Sequence, residues 1–151
     1  SKVYPYLNGN FKVKVTENSL INNIKKKKVY DVSYTPTKME LKVLEPALNM
    51  GEIYTYSKSG KTLYSPKLKQ IVKQSISVQD ESIYSILSEL STLDTAVTQN
   101  KGNKKYIFEN SILKRIEAKD YSIEFDSFNN NRPTKIRFLS KSIIVDYQLS
   151  Y

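Results

Sequence analysis

Glu124 and Asp126 are the two side chains whose type and spacing best suit acid–base chemistry in this sequence. They alternate with Ile123 and Phe125, so both carboxylates project from one face of a strand. That face lies opposite the apolar residues, and a solvated surface accounts for the pair better than catalysis does. The chain has no histidine and no cysteine. It therefore lacks the side chain best suited to proton transfer near neutral pH, any thiol nucleophile and the usual ligands of structural zinc. Gly60-Lys61-Thr62 matches the end of a phosphate-binding loop, but the motif needs glycine at position 55, where threonine stands. The stretch from Asp126 to Asn131 gathers oxygens without the acidic spacing or the glycine of a calcium loop. The expectation is a protein with no enzymatic activity, no metal and no cofactor.

Charge is the next feature. The chain carries 24 Lys and Arg against 15 Asp and Glu. Residues 1–75 hold the whole excess of +9, with 14 lysines, no arginine and five acids, and residues 76–151 are neutral. Lys25, Lys26, Lys27 and Lys28 form the densest run, which reads as a solvated turn, a patch that meets an anionic surface, or one that steers a partner. Nucleic acid is not expected. Bidentate base recognition favours arginine, and no interleaved aromatic and basic motif appears on adjacent strands. Tyrosine is abundant, at 12 residues with no tryptophan. Tyr54, Tyr56 and Tyr64 fall in one hairpin, where they suit a protein interface as well as they suit a half-buried sheet face.

These residues need elements to hold them, and the pattern is that of one domain spanning residues 1–151. Phe11, Val13 and Val15 alternate with polar residues as a first strand, and Asn22-Asn23 marks a turn. Strands are expected at Val29–Tyr34, Lys38–Leu44, Glu52–Tyr56, Lys61–Ser65 and Lys69–Lys73, with further strands over Lys105–Glu109, Ile112–Ala118, Tyr121–Phe128, Thr134–Leu139 and Ser142–Leu149. Between these groups the spacing of Ile83, Ile86, Leu87, Leu90, Leu93 and Val97 predicts one amphipathic helix from Glu81 to Val97. Asp80 is its expected cap, and residues 99–103 are expected to end it. Ser1 to Asn10 reads as the tail of an element begun upstream. About ten or eleven strands and one helix with a single apolar stripe fit a curved antiparallel half-barrel sheet with the helix packed in its concave face.

The order of these pieces carries a resemblance. Lys42-Val43-Leu44-Glu45-Pro46, the glycine-turn hairpin at residues 57–61, Leu63-Tyr64-Ser65-Pro66-Lys67 leading into Gln70-Ile71-Val72, and the strand from Arg132 to Phe138 resemble the central sheet of the LolA/LolB-type lipoprotein carrier superfamily. Within it they are most similar to the GerS-type spore-germination lipoproteins. That resemblance implies an exported, membrane-anchored lipoprotein of the forespore or spore envelope, its lipid attached upstream of Ser1. It implies a non-catalytic role, binding and activating a CwlD-type cell-wall N-acetylmuramoyl-L-alanine amidase for spore-cortex modification. Carrier members instead hold acyl chains in the half-barrel cavity, which makes lipid or lipoprotein carriage the alternative. The aromatic trio Tyr54, Tyr56 and Tyr64 is the expected partner surface, and an edge strand is the expected route to a homodimer.

Overall fold

Asn22 and Asn23 sit at φ of 50° and 66°, the left-handed pair that a two-residue hairpin turn requires. They join the two longest strands of the computed structural model, β1 (Phe11–Ile21) and β2 (Ile24–Thr35), which pair in unbroken register from Phe11 with Tyr34 to Ile21 with Ile24. The structure describes residues 2–74 and 82–151. From β2 the chain meanders through β3 (Lys38–Glu45), β4 (Ile53–Ser57), β5 (Gly60–Ser65) and β6 (Gln70–Gln74). After helix α1 (Ile83–Leu90) a second meander follows: β7 (Gln99–Lys101), β8 (Lys104–Glu109), β9 (Ile112–Glu117), β10 (Tyr121–Asn129), β11 (Arg132–Ser140) and β12 (Ile143–Ser150).

The two meanders fuse where β1 pairs antiparallel with β12, from Lys14 opposite Ser150 to Ile21 opposite Ile143. The result is a single antiparallel sheet of 12 strands in the order β6-β5-β4-β3-β2-β1-β12-β11-β10-β9-β8-β7. It is curved and does not close. This topology explains the position of α1: the chain leaves the sheet at one edge, β6, and must return at the other, β7. The connection has to cross the sheet, and α1 lays its apolar stripe on the concave face as it does so. Ile83, Ile86, Leu87 and Leu90 are all fully buried in one core cluster with Val13, Val15, Tyr30, Val32, Ile123, Phe138 and Tyr147 of the sheet. Burying each such aliphatic side chain contributes about 1.5–3 kcal/mol.

Several expectations need correction. The helix is eight residues long rather than seventeen. Its cap is Ser82, whose Oγ accepts from the Ser85 N–H at 3.2 Å, and Asp80 and Glu81 lie outside the described residues. Its end tightens to i→i+3 bonds, Thr92 N–H to Glu89 O and Leu93 N–H to Leu90 O, while the Ser91 and Thr92 hydroxyls compete for its last carbonyls by donating to Ser88 O and Glu89 O. Leu93 stays buried beyond the helix end, while Val97, the last residue of the expected stripe, is exposed. Residues 99–103 do not simply end the helix but supply β7 and its turn, the twelfth strand. Lys25–Lys28 are not a turn: they extend β2 toward the hairpin tip, past Val29, where pairing with β3 begins opposite Glu45. The segment before β1 is not a loose tail but packs on the core. Tyr4 and Leu7 are buried in the main core, and the Val3 N–H donates to Leu93 O.

At Gly51 both the backbone and the packing call for a residue without a side chain. It has φ +87°, and a Cβ there would lie 3.1 Å from Pro66 Cγ, which fixes the β3–β4 connection against the β5–β6 turn.

Candidate functional site

The inward register of β1 begins with Val13 and Val15, and the same alternation carries Glu17 and Ser19 onto the concave face. Glu17 stands opposite Lys28 on β2 and Tyr147 on β12. On β4, Tyr54 and Tyr56 face inward too, paired with Leu41 and Met39 on β3 and with Leu63 and Lys61 on β5. These side chains enclose a cup beside the first turn of α1, with a volume of about 160 Å³. The Lys28 and Lys61 ammonium groups converge on the Tyr54 ring, 5.3 Å and 5.0 Å from its centroid, and Lys61 also lies 5.2 Å from that of Tyr56. Below them the Tyr30 hydroxyl donates to Glu17 Oε1 at 2.9 Å. Burial pushes the Tyr30 phenol well above its ordinary pKa, and the Glu17 carboxylate adds to the shift, so Tyr30 remains a neutral donor. Tyr54 is shifted up by burial first, and then by Glu52 and Glu17.

The three hairpin tyrosines therefore part company. Tyr56 is 5% exposed and stacks on Tyr84 of α1 with 5.2 Å between centroids. Tyr54 forms one wall of the cup. Tyr64 pairs with Ile53 and Ile71 on the opposite, convex face. The two-residue turn at Lys58-Ser59 pairs even-numbered residues of β4 with odd-numbered residues of β5, which separates Tyr64 from the other two. Of the lysine run, Lys28 alone reaches the cup, and Lys25, Lys26 and Lys27 are exposed along the hairpin. The sequence pattern gives Lys61 no role in a site and does not single out Glu17, although its place two residues beyond Val15 is enough to turn it inward.

A second opening lies on the other side of α1, a cleft of about 550 Å³ with Tyr84, Tyr121 and Phe138 among its walls. Glu89 on the helix is ion-paired there with Lys104 on β8, and the Tyr121 hydroxyl donates to the same carboxylate oxygen at 3.3 Å. Burial opposes the Lys104 charge, but its bonds to Glu89 and Tyr121 outweigh that and hold its pKa above the ordinary lysine value. This is a structural tether between helix and sheet, and nothing in the local sequence pattern signalled it.

Glu124 and Asp126 do leave β10 on the polar side, but they do not form a site. Glu124 stands opposite Arg115 on one neighbour and Arg137 on the other. Arg115 lies 3.4 Å from Glu124 and 3.2 Å from Glu117, while Arg137 is held by Asp146 at 2.6 Å and 2.9 Å. The carboxylate belongs to an ion-pair ladder on the outer face, and Asp126 is exposed next to a bulge. Among the described residues no group of three acidic side chains could hold a metal ion, and no helix is long and apolar enough to cross a membrane.

The twelve-strand open sheet with a helix across its hollow has counterparts among solved structures. A LolA superfamily protein from Nitrosomonas europaea superposes with a TM-score of 0.66, covering 99% of this chain and 89% of that one at 13% identity. The fold is LolA-like. A DUF1329 family protein from Desulfovibrio piger matches at TM-score 0.69 and 10% identity, covering 97% and 87% of the two chains. An outer membrane lipoprotein-sorting protein domain from Vibrio parahaemolyticus matches at 0.59 and 11%, covering 93% and 83%. No protein-family model matches the sequence, and no curated protein aligns with it significantly. Tyr30, Tyr147 and the stripe of α1 are buried together in the core, and the cup and the cleft open beside them.

Proposed function

We propose that this domain is a non-catalytic, extracytoplasmic binding protein that works by protein contact, and that its partner is a cell-wall amidase of the CwlD type in the spore envelope. The observation that carries this reading is the distribution of apolar side chains. Much of the half-barrel interior is taken by the protein's own core, while Tyr64 and Ile71 (70% exposed) on the convex face and Val72 (45% exposed) on the other stay open to solvent on β5 and β6. β6 is also an edge, and among the described residues no strand lies beyond it. The opposite edge is guarded differently, since β7 is only three residues long and entirely polar. An edge with large apolar side chains suits strand addition, in which main-chain bonds give affinity and alternate side chains give specificity. A strand of the amidase and a strand of a second copy both fit this edge, so a homodimer formed there is part of the same proposal. The sequence likeness to GerS-type lipoproteins supports the amidase as the partner, with a lipid anchor upstream of Ser1 holding the domain at the membrane and no role for nucleic acid.

Purified domain and amidase are expected to co-elute as a stoichiometric complex. Ile71→Lys places a charge on the edge and should raise the dissociation constant at least about tenfold, as expected of a central apolar contact. Charge removal at Lys25–Lys28 should slow association and flatten its salt dependence, with little effect on dissociation. Unchanged affinity in Ile71→Lys would remove the edge from the interface.

Lipid or lipoprotein carriage is the second reading, favoured by the lipoprotein-sorting description of the Vibrio parahaemolyticus neighbour and by the open cleft of about 550 Å³. Against it, the cleft contains the Glu89–Lys104 pair and a row of hydroxyls, and the cup, only about 160 Å³, is lined by Glu17, Lys28 and Lys61. Native mass spectrometry of the purified domain should give the mass of the chain alone. Added phospholipid or acyl-chain mass surviving purification would establish carriage instead.

A further inference from the structure

In an antiparallel meander every second connection falls at the same end of the sheet. The β1–β2, β3–β4 and β5–β6 connections therefore share one end, and the contact between Gly51 and Pro66 shows two of them touching. Each presents large apolar side chains to solvent. Ile24 at the hairpin tip is 59% exposed, Leu48 and Met50 between β3 and β4 are 71% and 61% exposed, and Leu68 between β5 and β6 is 65% exposed. The connections at the other end of the same strands, Pro36-Thr37 and Lys58-Ser59, carry no large apolar residue.

Lysine surrounds these apolar tips. Lys25, Lys26, Lys27 and Lys28 follow Ile24, and Lys67 and Lys69 flank Leu68. The acids in the same three segments are Glu45, which is exposed, and Glu52, which accepts from Asn49 Nδ2 at 3.2 Å. Because β2 runs past its pairing with β3, the lysines of the hairpin alternate between its two faces, with Lys25 opposite Leu20 and Lys26 opposite Ser19. Charge thus lies on both sides of the tip.

We propose that this end of the sheet docks on the surface of an anionic phospholipid bilayer, with Ile24, Leu48, Met50 and Leu68 entering the headgroup region and the lysines contacting lipid phosphates. Two features favour a bilayer over a protein partner. Neighbouring strands stand about 4.8 Å apart, so the apolar tips are spaced along the end of the sheet rather than gathered into one patch. A fluid surface accepts each of them separately. Protein interfaces are also depleted in lysine, whereas polybasic segments beside apolar anchors are the usual signature of contact with acidic lipids. This docking does not depend on the identity of the protein partner, because it uses the turn end of the sheet and not the β6 edge.

Co-sedimentation of the domain with vesicles tests it. Binding is expected to phosphatidylcholine vesicles containing phosphatidylglycerol, to weaken as salt rises, and to be much weaker with phosphatidylcholine alone. Replacing Lys25, Lys26 and Lys27 together by glutamine should weaken it by about tenfold or more. Ile24→Ser should weaken it severalfold while leaving the salt dependence in place, because it removes only an apolar contact. Ile112→Ser, at an exposed position on the other half of the sheet, should leave binding unchanged. Wild-type binding by the triple lysine variant would overturn the proposal. So would binding to a soluble polyanion as tight as to the vesicles and indifferent to Ile24→Ser.

Discussion

Leu90→Ala is expected to lower the free energy of unfolding by about 2–5 kcal/mol. Leu90 is fully buried at the end of α1, in the cluster where helix, sheet and N-terminal segment meet. Truncation there leaves a cavity bounded by rigid strands, which cannot collapse to fill it. Urea denaturation should show the loss as a lower midpoint at unchanged slope. Ile112→Ala, an exposed substitution, should stay within about 0.5 kcal/mol of wild type. A negligible effect at Leu90 would mean that the helix does not pack in the hollow, and that part of the core would be lost with it.

Alkali should unfold the domain steeply. Burial raises Tyr4 from 10.0 to about 12, raises Tyr6 further still, and holds Tyr30 well above the ordinary phenol range. Below pH 10 both folded and unfolded chains keep these protons, so the groups leave stability independent of pH. Above it the unfolded chain ionises first and binds fewer protons than the native state, so stability falls as pH rises from 10 toward and beyond 12. Several tyrosines contribute to the same window, which makes the fall cooperative. Tyrosinate absorbance and circular dichroism followed together should change in one step above pH 10. Titration of all the tyrosines near pH 10 with the fold intact would show that the phenols are not buried as described.

The strands were legible because alternation survives in them. Ile123 and Phe125, and Ile136 and Phe138, are buried as their period of two requires. Where alternation is masked, the sequence is mute: four consecutive lysines conceal both the extension of β2 and which of its ammonium groups turns inward. The helix was overextended because Leu93 and Val97 continue the apolar spacing, while the Ser91 and Thr92 hydroxyls that compete for its last carbonyls are not weighed by a hydropathy pattern. β7 is short, polar and at an edge, so nothing in its composition distinguishes it from a turn. Tyr64 is a different case. The length of the turn at Lys58-Ser59 already placed it opposite Tyr54 and Tyr56, and pairing parity would have separated them.

The crossing from β6 to β7 ties fold to function. A chain that must span its own open sheet brings a helix into the hollow, and on the proposed reading that helix leaves recognition to the outside of the molecule. As proposed, the β6 edge serves a protein and the turn end a lipid surface.

The most direct measurement is the rate at which a purified CwlD-type amidase cleaves isolated peptidoglycan as this domain is titrated in. The expected result is stimulation that saturates at a fixed stoichiometry, is weakened by Ile71→Lys, and is absent with the domain alone. An amidase rate unchanged by the domain, with no complex on co-elution, would contradict protein-contact activation.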